Sequence, residues 1–261
     1  MNILVCAKQV PNTNEVKIDP VKGTLIREGI ESILNPDDAN ALEEALKLKD
    51  QYTDVRVTVL SMGPPQADEM LRECLAMGAD EAILISDRAF GGADTWATSN
   101  TISAAIKKAG NFDIIFAGRQ AIDGDTAQVG PQIAERLGLP QVTYVQSFAI
   151  DGDVVTVQRQ LENGYEVIRV KTPVLLTAVK ELNKPRYMNV KGIYDAYKKE
   201  ISVWGVNDIP VDQETIGLKA SPTKVSRSFT PAPKGKGIML EGTTKEKVQA
   251  LMSSLQQHHI I

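Results

Sequence analysis

Cysteine, histidine and aromatic residues are all scarce in this sequence of 261 residues. The two cysteines, Cys6 and Cys74, have no second ligand at metal or redox spacing, which argues against a zinc ribbon or a CxxC centre. Both fall in apolar segments and are expected to be buried small hydrophobes. The two histidines, His258 and His259, stand in the last four residues, where fraying or a partner contact is expected rather than catalysis. Neither a zinc site nor a Ser-His-Asp triad can be assembled from this inventory, no catalytic side chain stands out, and a bound cofactor must carry any redox or group-transfer chemistry. An excess of positive charge is also missing. Lys and Arg number 29 against 33 Asp and Glu, a net charge of −4, which has the wrong sign for a nucleic-acid surface. No apolar run approaches the roughly 20 residues of a membrane span. The start, from Met1 to Lys8, lacks the basic segment and cleavage site of a signal peptide, so a cytoplasmic protein is expected.

What is present is an alternation. Apolar strand-type runs at Ile3–Ala7, Val55–Met62, Ala82–Ile85 and Ile114–Ala117 are separated by helical patterns. The first helix is expected to begin at Asn35-Pro36-Asp37-Asp38, with Asn35 as cap, Pro36 as first residue and two acids at the positive dipole end. The second runs from about Gln66 to Met77 and stops at Gly78, and the third starts at Asp94 or Thr95. This order predicts an α/β fold, a doubly wound parallel sheet with helices on both faces. Ligands on such sheets sit beyond the carboxyl ends of strands. Cys6-Ala7-Lys8, Asn35–Asp38, Ser61-Met62-Gly63 and Gly118–Val129 would then converge on one crevice.

The organising stretch is Ile114–Leu137, a strand, a polar loop and a helical pattern. Such a unit leaves unpaired helix-start N–H groups at the sheet edge, a geometry suited to a pyrophosphate. The loop is small and flexible at Gly118, Ala121, Gly124 and Ala127. Asp125 and Gln128 have the spacing of a capping box, whereas Gly130-Pro131 places the helix start as late as Pro131. An ordinary βα connection has the same pattern, so the loop alone carries no function.

After Pro140 the pattern changes. Gln141–Ile150, Val154–Leu161, Tyr165–Val170 and Val174–Val179 are strand-like, with hairpin signals at Asp151-Gly152 and Asn163-Gly164. An antiparallel meander is expected, its Arg159, Glu162, Glu166 and Arg169 forming cross-strand ion pairs. A short amphipathic helix with Val190, Ile193, Tyr194 and Tyr197 on one side follows. From Ser202 prolines and glycines dominate, which reads as an extended arm. Thr243 and Glu246 form a second capping box before a helical stripe of Val248, Leu251, Met252 and Leu255, expected to be buried on a partner subunit. The expected division is a nucleotide-binding domain over residues 1–200 and a C-terminal arm and helix over 201–261.

Several of these segments together resemble the β subunit of electron transfer flavoproteins over nearly the whole length. The most specific part is Val157-x-Arg159-x-x-Glu162-x-Gly164-x-Glu166-x-x-Arg169-Val170-x-x-Pro173-x-x-x-Thr177, followed by Asn183-x-Pro185-Arg186-Tyr187. Lys8-x-Val10-Pro11, Asn35-Pro36, Met77-Gly78-Ala79-Asp80 and Gly118-Arg119-Gln120-Ala121-Ile122-Asp123 add to it. The resemblance implies a heterodimer with an FAD-carrying α subunit and a β-subunit crevice that holds AMP in simple carriers or FAD in bifurcating ones. Carried over by position, the nucleotide contacts are Cys6, Ala7, Asn35, Pro36, Asp37, Asp38, Met62, Gly118, Arg119, Gln120, Ala121, Ile122, Asp123, Gly124, Asp125, Thr126, Ala127, Gln128 and Val129. A partner-recognition loop spans residues 183–200, with Arg186, Tyr187, Val190, Ile193, Tyr194 and Tyr197 facing an acyl-CoA dehydrogenase.

The small side chains of the 123–130 loop resemble the NADH-oxidising, electron-bifurcating group. That likeness implies FAD here, NADH as reductant, and ferredoxin or flavodoxin as the low-potential acceptor. The alternatives are a plain carrier subunit with structural AMP, and a stand-alone nucleotide-binding signalling module.

Overall fold

The chain opens with β1 (Asn2–Cys6), passes four short strands, β2 (Gln9–Pro11), β3 (Lys17–Ile18), β4 (Leu25–Ile26) and β5 (Ser32–Leu34), and enters helix α1 (Pro36–Gln51). Strand and helix then alternate through β6 (Arg56–Met62), α2 (Ala67–Met77), β7 (Glu81–Ile85), α3 (Thr95–Ala109), β8 (Ile114–Gly118) and α4 (Val129–Leu137). Strands β9 (Gln141–Asp151), β10 (Val154–Leu161), β11 (Gly164–Lys171) and β12 (Val174–Ala178) follow. Helix α5 (Val190–Ala196), β13 (Ile201–Trp204), α6 (Gly217–Ala220) and α7 (Thr244–Gln257) complete the order. The computed structural model describes residues 1–12, 17–18, 25–26, 31–224, 226 and 235–261. They form two units, 1–227 and 228–261. No helix among the described residues is long and apolar enough to cross a membrane.

A single nine-stranded sheet runs β11-β10-β9-β12-β8-β1-β6-β7-β13. All pairings from β9 to β13 are parallel, and only β9-β10 and β10-β11 are antiparallel. Along β1 the faces alternate: Ile3 and Val5 enter one core with α1 and α2, and Leu4 enters the other with α3 and α4. This is the doubly wound parallel sheet with a meander that the alternation predicts. The chain builds outward from β1 through β6 and β7, then reverses to β8 on the other side of β1. The switch point therefore lies between the carboxyl ends of β1 and β8, paired as Cys6 with Ala117.

Local signals explain the element ends. Asp94 caps α3 by accepting the Ala97 N–H at 3.0 Å, and Gly78 closes α2 at φ +134°. The cross-strand pair expected in the meander exists between Arg159 and Glu166, directly opposed and 3.3 Å apart.

Two expectations are corrected here. Val174–Ala178 is not a fourth meander strand; it inserts between β8 and β9, parallel to both. Every residue of β12 is buried, as a strand covered on both faces requires, whereas β9 and β11 carry exposed positions. The boundary expected at residue 200 also moves. Ile201–Trp204 extends the sheet along β7, and Ile209 and Ile216 are buried in the α3–α4 core. These apolar residues follow neither period, so periodicity leaves them unread, yet they cover α3.

Within the second unit, Thr243 and Glu246 form the reciprocal capping box, and α7 exposes Val248, Leu251 and Met252. The unit's described residues contain no second helix or strand to cover that stripe.

Candidate functional site

Helix α1 carries the crevice wall at its first turn. Asp38 is buried, and its carboxylate accepts the Lys8 N–H at 2.8 Å and the Gly118 N–H at 2.9 Å. It thereby ties the ends of β1 and β8 together beneath the switch point. Burial pushes its carboxyl up to about 7, against the opposing pull of those N–H groups. The folded chain therefore retains a proton that the unfolded chain releases above about pH 4. This contribution to stability is full below about pH 4 and is lost as pH rises through about 7. Asp38→Asn is expected to flatten that component. Urea unfolding at several pH values between roughly 4 and 8 checks it, and parallel curves for variant and wild type would contradict the assignment.

Asn35 does not cap α1 with its side chain as expected. Instead its amide donates to the Gln120 carbonyl at 2.9 Å and accepts the Ile122 N–H at 3.1 Å. The first half of the loop is thus pinned to α1. Lys8 adds a second pin, its Nζ lying 2.7 and 2.9 Å from the two oxygens of Asp123. Asp37 Oδ2 stands 3.3 Å from Arg119 Nε without an aligned hydrogen bond, and neither atom has another partner among the described residues. Burial raises the Asp37 carboxyl, with Arg119 opposing. Cys6 ends β1, its thiol pushed up to about 12 by burial and then by the Asp38 charge, so it is no nucleophile at neutral pH.

The second half of the loop differs. Asp125 and Ala127 adopt left-handed backbone at φ +53° and +51°, uncommon for residues with a Cβ. Asp125 therefore begins no helix, and the expected capping box with Gln128 is absent; its carboxylate accepts from Gln120 Nε2 instead. Helix α4 starts at Val129, two residues before Pro131. Left-handed Ala127 followed by right-handed Gln128 is a turn that aims successive N–H groups one way. No hydrogen bond among the described residues engages the N–H of Thr126, Ala127, Gln128 or Val129. These donors, at the positive end of α4, make a cradle of the kind that would suit a phosphate or pyrophosphate.

Two glycines let this edge close. A Cβ on Gly130 would lie 2.8 Å from Thr177 Cγ2, so α4 starts tight against β12. One on Gly118 would lie 2.2 Å from Asp38 Oδ1.

The four segments expected to converge are on one sheet edge. Cys6, Ala7, Met62 and Gly118 end adjacent strands β1, β6 and β8, while Pro36 opens α1. Ala121 supplies the carbonyl of the turn to Gly124 and Asp125. Lys8 belongs to one of these four segments, whereas Thr95 lies outside them. Thr95 donates to Gln128 Oε1 at 2.8 Å and so links α3 to the cradle.

The segment expected to recognise a partner, residues 183–200, begins fastened to the flank of α1. Arg186 donates to both oxygens of buried Glu43 at 2.9 and 3.0 Å and to Asp50 at 2.7 Å. Asn183 and Asn40 exchange side-chain-to-carbonyl bonds at 2.8 and 2.9 Å, and Asn183 also donates to Glu44. Arg186 is thus occupied within the chain. Helix α5 lies on α2 through Gly192, whose Cβ would meet the Ala76 carbonyl at 2.2 Å. Tyr187, Val190, Ile193, Tyr194 and Tyr197 remain exposed, Tyr187 by 91% and Val190 by 85%.

Comparison with known proteins places this geometry in a family. Residues 22–209 match the electron transfer flavoprotein domain. The chain is 64% identical to the caffeyl-CoA reductase-Etf complex subunit CarD of Acetobacterium woodii, over the whole of both chains. It is 62% identical to the electron transfer flavoprotein subunit beta of Clostridium acetobutylicum, again over the full length of each. Identity to the acryloyl-CoA reductase electron transfer subunit gamma of Anaerotignum propionicum is 55%, also with complete coverage of both.

Proposed function

Because the chain belongs to the electron transfer flavoprotein family, as a β subunit, we propose that it holds FAD in the β1–β8 crevice and takes part in NADH-driven electron bifurcation. The observation that carries this reading is the run of unengaged N–H groups from Thr126 to Val129 at the start of α4. The donors fit a pyrophosphate. Gly124 is exposed, with no atom of the described residues within 4 Å of an added Cβ, so a ligand can approach this turn closely. FAD would supply acceptance of electrons from NADH and their onward one-electron delivery. The chain's own residues bind and orient. The cradle holds the diphosphate, Asn35 and Lys8 hold the loop, and Gly118 and Gly130 keep the edge tight.

The names of two relatives support a reductase-type acceptor. Two are named as parts of caffeyl-CoA and acryloyl-CoA reductase systems. The proposed partners here are an α subunit with its own FAD, an acyl-CoA dehydrogenase, and ferredoxin or flavodoxin in the cytoplasm. The exposed face from Tyr187 to Tyr197 docks the dehydrogenase, and the α7 stripe is covered by the α subunit.

The test is a flavin count. The chain co-purified with its α subunit should carry two FAD per heterodimer and bleach rapidly when NADH is added without oxygen. One FAD with AMP, and no response to NADH, would overturn the proposal in favour of a plain carrier. In the same preparation Gly124→Glu or Thr126→Val should lower flavin content toward one per heterodimer. Gly124 has no steric neighbour, so this loss would report on the ligand rather than on folding. Full occupancy in both variants would contradict the cradle.

A further inference from the structure

The Lys8–Asp123 ion pair crosses the mouth of the crevice at the switch point. Lys8 is the second residue past β1, whose end pairs Cys6 with Ala117, and Asp123 lies five residues past the end of β8. Lys8 Nζ donates to both carboxylate oxygens, at 2.7 and 2.9 Å, so the two side chains span from one lip of the crevice to the other. The backbone beneath each is fixed independently of the pair. The Lys8 N–H donates to Asp38 at 2.8 Å, and its carbonyl accepts the Asn35 N–H at 2.9 Å. On the other lip the Asn35 amide holds the Gln120 carbonyl and the Ile122 N–H, and the Ala121 carbonyl accepts from Gly124 and Asp125. The bridge therefore opens by side-chain rotation alone. Little holds it shut, since 47% of the Lys8 side chain and 25% of the Asp123 side chain are exposed, and an ion pair in contact with water contributes little.

Charge gives the opening a cause. The four segments of this edge carry four carboxylates, Asp37, Asp38, Asp123 and Asp125, against two cations, Lys8 and Arg119. A phosphate approaching the unengaged N–H groups of Thr126–Val129 thus meets a mouth of its own sign. Arg119 stays beside Asp37, and Lys8 is the more exposed of the two cations. Asp123 and Thr126 are three residues apart, at most about 11 Å along the chain, so the ammonium reaches the cradle without leaving the loop.

We propose that Lys8 exchanges partners when a nucleotide binds: its ammonium leaves Asp123 and donates to the incoming phosphate. The pair is then a charge latch. It screens Asp123 while the crevice is empty and supplies a cation to the ligand when the crevice fills. The latch rests on reading the crevice as a nucleotide site, and it adds to the backbone donors of that site a charge that they lack. A phosphate that also takes the N–H groups at the start of α4 outcompetes a lone, half-solvated carboxylate for the same ammonium.

Calorimetric titration of the heterodimer, freed of crevice nucleotide, with AMP, FAD and adenosine tests this. Lys8→Met should weaken AMP and FAD about tenfold. Asp123→Asn, which frees Lys8 in advance, should tighten both by about threefold or more. In the double variant, affinity should fall below that of Asp123→Asn alone, because Lys8 donates to the ligand and does more than neutralise Asp123. Adenosine has no phosphate and should bind all four chains alike. Weaker AMP binding in Asp123→Asn, a double variant equal to Asp123→Asn, or loss of adenosine together with AMP in Lys8→Met would overturn the latch. This order of affinities with only one FAD per heterodimer would leave the latch standing and remove the bifurcating reading. Two FAD per heterodimer with the order reversed would do the opposite.

Discussion

Replacing Gly118 with alanine is expected to lower the unfolding free energy by about 3 kcal/mol or more. The added methyl would sit 2.2 Å from Asp38 Oδ1 and 2.8 Å from the Asp37 carbonyl carbon and the Asp38 nitrogen. Two of these three neighbours are backbone atoms of the first turn of α1, so no rotamer change relieves the clash. Moving α1 away would break the Gly118–Asp38 and Lys8–Asp38 bonds and strain the Asn35 clamp on the loop. For a chain of this size the loss corresponds to a fall in Tm of about 6–12 °C. Gly124→Ala is the control, since nothing lies within 4 Å of its added Cβ and the change should stay within about 0.5 kcal/mol. Thermal and urea unfolding of both variants would decide it, and a Gly118→Ala chain as stable as wild type would contradict the close approach.

Arg186→Met should cost about 2–3 kcal/mol, through the charge it leaves behind rather than the one it removes. Glu43 retains 6% of its side-chain exposure and takes two guanidinium bonds and the Arg186 N–H. Hydrogen bonding to Glu43, then to Asp50, raises the Arg186 pKa well above its ordinary value. Without the guanidinium, the Glu43 carboxylate is buried with only the backbone donor. Asp50 is the counter-example: its side chain is 62% exposed, and Asp50→Ala should cost less than about 1 kcal/mol. Unfolding curves that rank the two variants in the opposite order would show that burial of Glu43 does not set the energetics. Because Arg186 faces α1, any loss of affinity for the proposed dehydrogenase partner in Arg186→Met would arise through the placement of Tyr187 and α5.

The sequence made the alternation legible because each element signals locally. Asp94 before Thr95, Gly78 after Met77 and Thr243 with Glu246 act within one helical turn, and the structure uses each of them. The four-segment crevice edge was legible too, since parallel strands must share a carboxyl end. What escaped was long-range or conformational. Asn35 reads as a cap, but its partners lie 85 and 87 residues away. The Lys8–Asp123 pair spans 115 residues, and no period announces it. Asp125 has capping-box spacing, yet left-handed backbone at Asp125 and Ala127 delays the helix to Val129. A largely apolar run such as Val174–Ala178 declares burial on both faces without naming its neighbours.

The insertion of β12 has a consequence for how the chain is made. β8 finds one neighbour, β1, already synthesised, but its other neighbour ends only at Ala178. Until the ribosome has delivered that strand, the apolar edge of β8 stays open and the meander has no sheet to join. A nascent chain stalled anywhere in the meander would therefore display an unpaired hydrophobic strand, the kind of edge that chaperones cover and that otherwise recruits other chains.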